Sequence, residues 1–115
     1  MNVDAAIPRD GEDGGWQNLA VAHFTAGQYE EGMTACHEAL RCDPRHATAM
    51  FNLALAYERQ GDYGRAMHWV HKAAEIDPKD LSHQRLELRL RLLWGWRRAI
   101  RVLRKLMFWR RGNIR

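Results

Sequence analysis

Two stretches of the chain, NLAVAHFTAGQYEEGMTACHEALRCDP at residues 18–44 and NLALAYERQGDYGRAMHWVHKAAEIDP at residues 52–78, share one pattern. When residues 13–46 are laid over residues 47–80 without a gap, eleven of the 34 positions are identical. The identical pairs are Asn18 and Asn52, Leu19 and Leu53, Ala20 and Ala54, Ala22 and Ala56, Gly27 and Gly61, Tyr29 and Tyr63, Met33 and Met67, His37 and His71, Ala39 and Ala73, Asp43 and Asp77, and Pro44 and Pro78. A repeat of this length indicates stacked copies of one supersecondary unit.

Each unit has the pattern of two helices. Apolar residues recur at helical spacing, and a glycine ends the first helix because it adopts the left-handed conformation without steric strain. An Asp-Pro pair then ends the second helix, since proline disfavours helix in the residue before it. Small residues at 20, 32, 54 and 66 allow the two helices to approach closely. The sequence predicts an all-α fold with helices near 15–26, 29–42, 47–60 and 63–76.

These residues resemble the tetratricopeptide repeat (TPR), a helical hairpin that recurs with this same period. At the positions of the family's pattern this chain has Trp16, Leu19-Ala20, His23, Gly27-Gln28-Tyr29, Gly32, Ala39 and Pro44, and then Met50, Leu53-Ala54, Tyr57, Gly61-Asp62-Tyr63, Ala66, Ala73 and Pro78. His23 and Met50 depart from it, because the family has an aromatic residue and tryptophan there. The resemblance implies a right-handed solenoid of helical hairpins, which binds a segment of another protein in its concave groove and carries no catalytic group.

The resemblance places Asn18 and Asn52 in that groove, where an asparagine amide can both donate to and accept from a peptide backbone. The alternative is that asparagine serves helix packing or solvation at this position. The neighbouring groove candidates are Gln17, Val21, Phe24, Thr48, Phe51, Leu55, Glu58 and Arg59, with Arg85 and Arg89 from the third segment. The chaperone-binding subclass clamps a terminal carboxylate with lysine, asparagine and arginine side chains. Only Asn52 of that cluster is present, so this function is not expected.

The segment after residue 80 differs from the repeats in sequence and charge. Residues 1–80 hold seven Lys/Arg and 13 Asp/Glu, whereas residues 81–115 hold eleven and one. Gly95 follows Gly61 by one further repeat period, which predicts a degenerate third hairpin with helices over 84–94 and 96–109. The predicted organisation is therefore a mobile acidic leader at 1–12, repeats at 13–46 and 47–80, and a basic segment at 81–115.

On a helical wheel, residues 96–109 divide into an apolar half and a basic half, with Phe108 as the only misfit. The apolar half is Trp96, Ala99, Ile100, Val102, Leu103, Leu106, Met107 and Trp109. The basic positions are Arg97, Arg98, Arg101, Arg104 and Lys105, followed by Arg110 and Arg111 in a tail, 110–115, that is expected to fray. Such a helix can cap the last repeat. Alternatively it can dock, with Trp94, Trp96 and Trp109 as anchors, on an acidic protein, an anionic membrane surface or nucleic acid, nucleic acid being the least favoured.

No local pattern predicts catalysis, a metal site or a cofactor. The chain has no Gly-rich phosphate loop, HExxH or CxxC, and His68 and His71 alone do not complete a metal site. Cys36 and Cys42 lie inside a helical pattern and are predicted to be buried, small apolar residues of a reducing compartment. The acidic N-terminus has no signal-peptide pattern, so a cytoplasmic location is expected, with peripheral membrane contact as an option. Two repeats bury a small core, so a larger complex or self-association is a further option.

Overall fold

The computed structural model describes residues 13–113, in which five α-helices follow one another and no strand occurs. The helices are α1 (Asp13–Thr25), α2 (Tyr29–Cys42), α3 (Ala47–Arg59), α4 (Tyr63–Ile76) and α5 (Leu81–Asn113). The first four match the predicted helices closely at both ends. The predicted mobile leader at 1–12 and the end of the tail, 114–115, lie outside the described residues.

The turns inside the two hairpins have the same geometry. Gly27 and Gly61 have φ angles of 78° and 76°, in the left-handed region that glycine adopts without strain. In each turn the amide after the glycine donates back to the helix, from Gln28 to the His23 carbonyl at 2.8 Å and from Asp62 to the Tyr57 carbonyl at 2.9 Å. This bond is the one expected of a glycine-terminated helix. The role predicted for these two glycines is confirmed.

The core lies where small residues let the helices approach one another. Ala20, Ala54 and Ala66 are completely buried. One cluster joins the two repeats through α1, α2 and α3, and a second joins α3, α4 and α5. The first consists of Ala20, Met33, Ala35, Cys36, Leu53 and Ala56, and the second of Ala54, Ala66, Val70, Leu86 and Leu90.

The third hairpin predicted around Gly95 is wrong, because α5 runs unbroken from Leu81 to Asn113. After Gly61, the Asp62 side chain accepts a hydrogen bond from the Arg65 amide and so begins α4. Trp96 follows Gly95 and has no side chain that can cap a new helix. Because leucine and arginine flank Gly95 and favour helix, one glycine does not interrupt α5. The described part of the tail, residues 110–113, is also helical.

The C-terminal half of α5 extends beyond the body of the protein. Residues 98–113, here called the projecting segment, are about 24 Å long at the helical rise of about 1.5 Å per residue. Every side chain in the segment is exposed except Ile100, which is half-buried. The described chain accordingly measures 68 × 34 × 19 Å along its principal axes.

Candidate binding groove

A cleft between α1 and α3 forms an open cavity of about 280 Å³. We call this cleft the groove. Its lining residues are Val21, Phe24 and Thr25 of α1, Tyr29 of α2, and Asn52, Leu55, Ala56 and Arg59 of α3. The lining combines apolar side chains with an amide, a guanidinium group and the hydroxyl-bearing side chains of Thr25 and Tyr29. This composition suits a ligand that has both apolar and polar groups, such as a polypeptide segment.

The repeat period explains why these side chains meet. Val21 and Leu55 occupy equivalent positions in the two repeats, as do Thr25 and Arg59. Within α3, Asn52, Leu55 and Arg59 follow one another at helical spacing, so the three share one face of the helix. Stacking two copies of one hairpin therefore brings equivalent faces of α1 and α3 together.

The Phe24 ring occupies space that is available only because Gly32 has no side chain. A β-carbon at position 32 would lie 2.5 Å from the Phe24 ring atom Cε1, which is closer than atoms can pack. The Phe24 ring also lies 6.2 Å from the Tyr29 ring, centroid to centroid. Gly32 was predicted to allow close helix approach, and the structure shows that the group it admits is an aromatic ring.

The two asparagines have different environments. Asn52 is half-buried and lines the cavity, whereas Asn18 is exposed and is not among the lining residues. Asn18 lies one turn before Val21 on the same side of α1, so it extends the groove toward the start of that helix. The two amides therefore do not converge on one cavity.

Five of the predicted groove residues line the cavity: Val21, Phe24, Asn52, Leu55 and Arg59. Phe51 was predicted to line the groove, but it packs against the second core cluster instead. Its ring centroid lies 5.2 Å from that of buried His83. Gln17 is half-buried and Thr48 is exposed, and neither lines the cavity. Sequence reasoning missed the lining residues Thr25, Ala56 and Tyr29. Thr25 could have been found as the repeat equivalent of Arg59.

Arg89 and Glu58 were predicted to contact a partner, but they bind each other. The Arg89 guanidinium donates two hydrogen bonds to the Glu58 carboxylate at 2.6 and 2.7 Å. The side chain of Glu58 is only 15% exposed, and the hydrogen bonds to this carboxylate raise the pKa of Arg89. The pair joins α3 to α5. Arg85, one turn earlier on α5, is exposed and does not line the cavity.

Arg97 was predicted to be one of the basic residues that contact a partner, but in the structure it contacts the body of this chain. Its Nη1 atom donates to the Gly61 carbonyl at 3.0 Å, and its guanidinium carbon lies 4.7 Å from the centre of the Tyr63 ring. Nearby, the indole of Trp94 lies at van der Waals contact from the position that a β-carbon on Gly64 would take. These contacts attach the middle of α5 to the turn between α3 and α4.

Only the N-terminal part of α5 caps the last repeat. Leu86 and Leu90 are buried against α3 and α4 and close the last repeat. The capping role was predicted for the apolar stripe at 96–109, and this part of the prediction is wrong, since Trp96 and Trp109 are 67% and 66% exposed. The remaining predicted basic residues are exposed as well: Arg98, Arg101, Arg104, Lys105, Arg110 and Arg111. No helix in the described part of the chain has the length and apolar character needed to cross a membrane.

Cys36 and Cys42 are both free thiols. Burial raises the pKa of the Cys36 thiol to about 12, and Cys42, predicted to be buried, is half-buried. Within residues 13–113, no three His, Cys, Asp or Glu side chains are grouped so that they could hold a metal ion. His71 instead lies 3.2 Å from a Glu75 oxygen and 3.6 Å from a Glu87 oxygen.

The helical hairpins define a solenoid-type repeat protein, and comparison with known families agrees. The family model described as Tetratricopeptide repeat matches residues 18–80, which is more than half of the 115-residue chain. The chain therefore belongs to the tetratricopeptide-repeat family, and the resemblance seen in the sequence is confirmed. A comparison with curated proteins found no match.

Solved structures of several TPR proteins resemble this fold. The first TPR of Spaghetti (RPAP3) bound to the HSP90 peptide SRMEEVD has a TM-score of 0.70 at 13% identity, covering 74% of this chain and 68% of that chain. The Arabidopsis OM64 TPR domain has a TM-score of 0.68 at 21% identity, with coverage of 70% and 67%. MamA has a TM-score of 0.73 at 18% identity, with coverage of 91% and 62%. At these identities the similarity establishes the fold.

Proposed function

We propose that this chain is a non-catalytic interaction module that holds a segment of another protein in the groove. The observation that carries the proposal is the convergence of Val21, Phe24 and Leu55 on one cavity beside Asn52 and Arg59. The apolar side chains would receive an apolar side chain of the partner. The Asn52 amide would bind the partner's backbone, which has both donors and acceptors to offer.

Arg59 gives the proposed site a preference for an acidic group. Its side chain is exposed at the end of α3, where it lines the cavity. The apolar surface beside it strengthens the attraction to a carboxylate by excluding water. Because Arg89 is already paired with Glu58, Arg59 is the groove cation that we expect to meet the partner.

The fold of a peptide-binding relative supports this proposal in general terms. The Spaghetti domain holds the acidic HSP90 peptide SRMEEVD, but at 13% identity its peptide is not carried over to this chain. The expected partner is a subunit of a protein complex that presents an extended segment with an apolar residue next to an acidic one. A cytoplasmic location is part of the proposal.

Site-specific photo-crosslinking tests the groove directly. A photoreactive amino acid at Val21, which lines the cavity, should capture the partner in cells. The matched control is Ala22, an exposed neighbour on α1 that does not line the cavity. The captured partner should bind the purified chain, and Arg59→Ala should weaken that binding by about tenfold, typical of losing one charge-assisted hydrogen bond.

The proposal fails if the cross-linker captures the same proteins from Val21 and from Ala22, or if Arg59→Ala leaves the affinity unchanged. Circular dichroism of each variant shows whether the helices are intact. Raising the ionic strength should weaken groove binding only modestly, because much of the contact is apolar.

A further inference from the structure

An apolar face runs along the solvent side of α5. At about 100° per residue, Leu88, Leu92, Ala99, Leu103 and Leu106 fall within about 60° of one another around the helix. The four leucines are between 56% and 66% exposed. Apolar side chains aligned over this length and left in water indicate a contact surface.

This face points away from the body of the protein. Leu86, Leu90 and Arg97 make contacts between α5 and the rest of the chain, and they lie together on the opposite side of the helix. The centres of the two sets are about 150° apart at the helical repeat of about 100° per residue. The body therefore does not obstruct a large flat surface that approaches the apolar face.

Around the projecting segment the apolar face widens to about half of the helix circumference. Its members are Trp96, Ala99, Ile100, Val102, Leu103, Leu106, Met107 and Trp109. Two residues are exceptions, because Phe108 lies in the basic half and Arg110 in the apolar half. A single partner helix covers a narrower seam than this. A flat apolar surface can cover half of the helix circumference. The width of the apolar face therefore favours a binding partner with a flat surface.

The charge of α5 further limits which binding partner can cover the apolar face. Residues 88–115 contain ten Lys/Arg and no Asp or Glu. The α5 helix of a second copy would bring like charges together along the contact, which is unfavourable. Nucleic acid would neutralise the arginines but leave the leucines and tryptophans in water. An anionic bilayer offers phosphate groups to the arginines and acyl chains to the apolar face at the same time.

We propose that α5 lies along the surface of an anionic lipid bilayer, with its apolar face at the level of the acyl chains and its arginines among the headgroups. Trp96 and Trp109 lie at the two ends of the wide apolar face, and tryptophan favours this interfacial depth. The body then lies on the aqueous side of the helix. This proposal concerns α5 and does not depend on what the groove binds.

The test is co-sedimentation of the full chain with vesicles of phosphatidylcholine alone and of phosphatidylcholine with phosphatidylglycerol. The decisive variant is Leu103→Asp/Leu106→Asp, which places two charges on the apolar face at exposed positions. The control is Lys79→Glu, an exposed residue before α5 that produces the same change in net charge. Light scattering without lipid measures the oligomeric state, and circular dichroism checks that each variant is folded.

We expect binding to the anionic vesicles that is reduced by salt. Leu103→Asp/Leu106→Asp should weaken it by more than about tenfold, because each leucine loses most of its burial. Lys79→Glu should change it by less than about threefold.

The proposal is overturned if the wild-type chain does not bind anionic vesicles, or if the leucine variant binds as tightly as the control. It is also overturned if the lipid-free chain is a dimer that only the leucine variant dissociates, since a second copy would then cover the face. Binding to duplex nucleic acid without binding to vesicles would likewise reject it.

Discussion

The two repeats and α5 use similar residues but bury them differently. In the repeats each helix packs against its neighbours in the chain, and Leu53 and Val70 are completely buried. In α5 the buried leucines end at Leu90, and the leucines of the projecting segment are exposed. An apolar pattern at helical spacing thus identifies a helix and its apolar face, but it does not show whether that face is covered within the same chain.

The largest contrast should appear when one leucine is shortened in each region. Leu53→Ala should lower the free energy of unfolding by about 2–5 kcal/mol, because it leaves a cavity at the centre of the first core cluster. Leu103→Ala should change it by less than about 0.5 kcal/mol, since Leu103 is exposed.

Urea denaturation followed by circular dichroism measures both leucine variants. Similar losses for the two would mean that the apolar face of the projecting segment is covered in solution. That result would contradict the division of α5 described above.

The glycines should give effects of opposite sign. Gly61→Ala should destabilise the protein by about 1–2 kcal/mol, because Gly61 has a left-handed backbone conformation. Gly95→Ala should stabilise α5 by about 0.5–1 kcal/mol, since Gly95 lies inside a helix and a β-carbon there would meet no other atom within 4 Å.

Thermal unfolding monitored by circular dichroism compares the two glycine variants with the unaltered chain. Loss of stability on Gly95→Ala would show that Gly95 forms a turn in solution, and the hairpin expected from the repeat period would then be correct.

A smaller effect should distinguish Arg97 from the arginines that follow it. Arg97→Ala should lower the free energy of unfolding by about 1–2 kcal/mol, because it removes the hydrogen bond to the Gly61 carbonyl and the contact with the Tyr63 ring. Arg101→Ala, at an exposed position of the same helix, should change it by less than about 0.5 kcal/mol. Equal stabilities in urea would mean that Arg97 does not attach α5 to the body.

The candidate groove could be predicted in part because it depends on equivalent positions of the two repeats. Val21, Leu55 and Asn52 were located from the period and the family resemblance. Phe51 was misplaced because its environment is created by His83, which lies on another helix and carries no signal of burial in the sequence. The partner of Arg89 was predicted wrongly, because an unpaired surface arginine and an arginine paired with a carboxylate have the same local sequence pattern.

The sequence by itself determined the four repeat helices, their glycine turns and their small contact residues, because each depends on the conformational preference of one residue or on a short periodic pattern. Only the tertiary structure decided that α5 continues through Gly95, that Arg89 binds Glu58, and that Arg97 binds the Gly61 carbonyl. The two arginine contacts join residues that are far apart in the chain, which local preferences do not encode. The direction of the exposed apolar face of α5 follows from the same contacts.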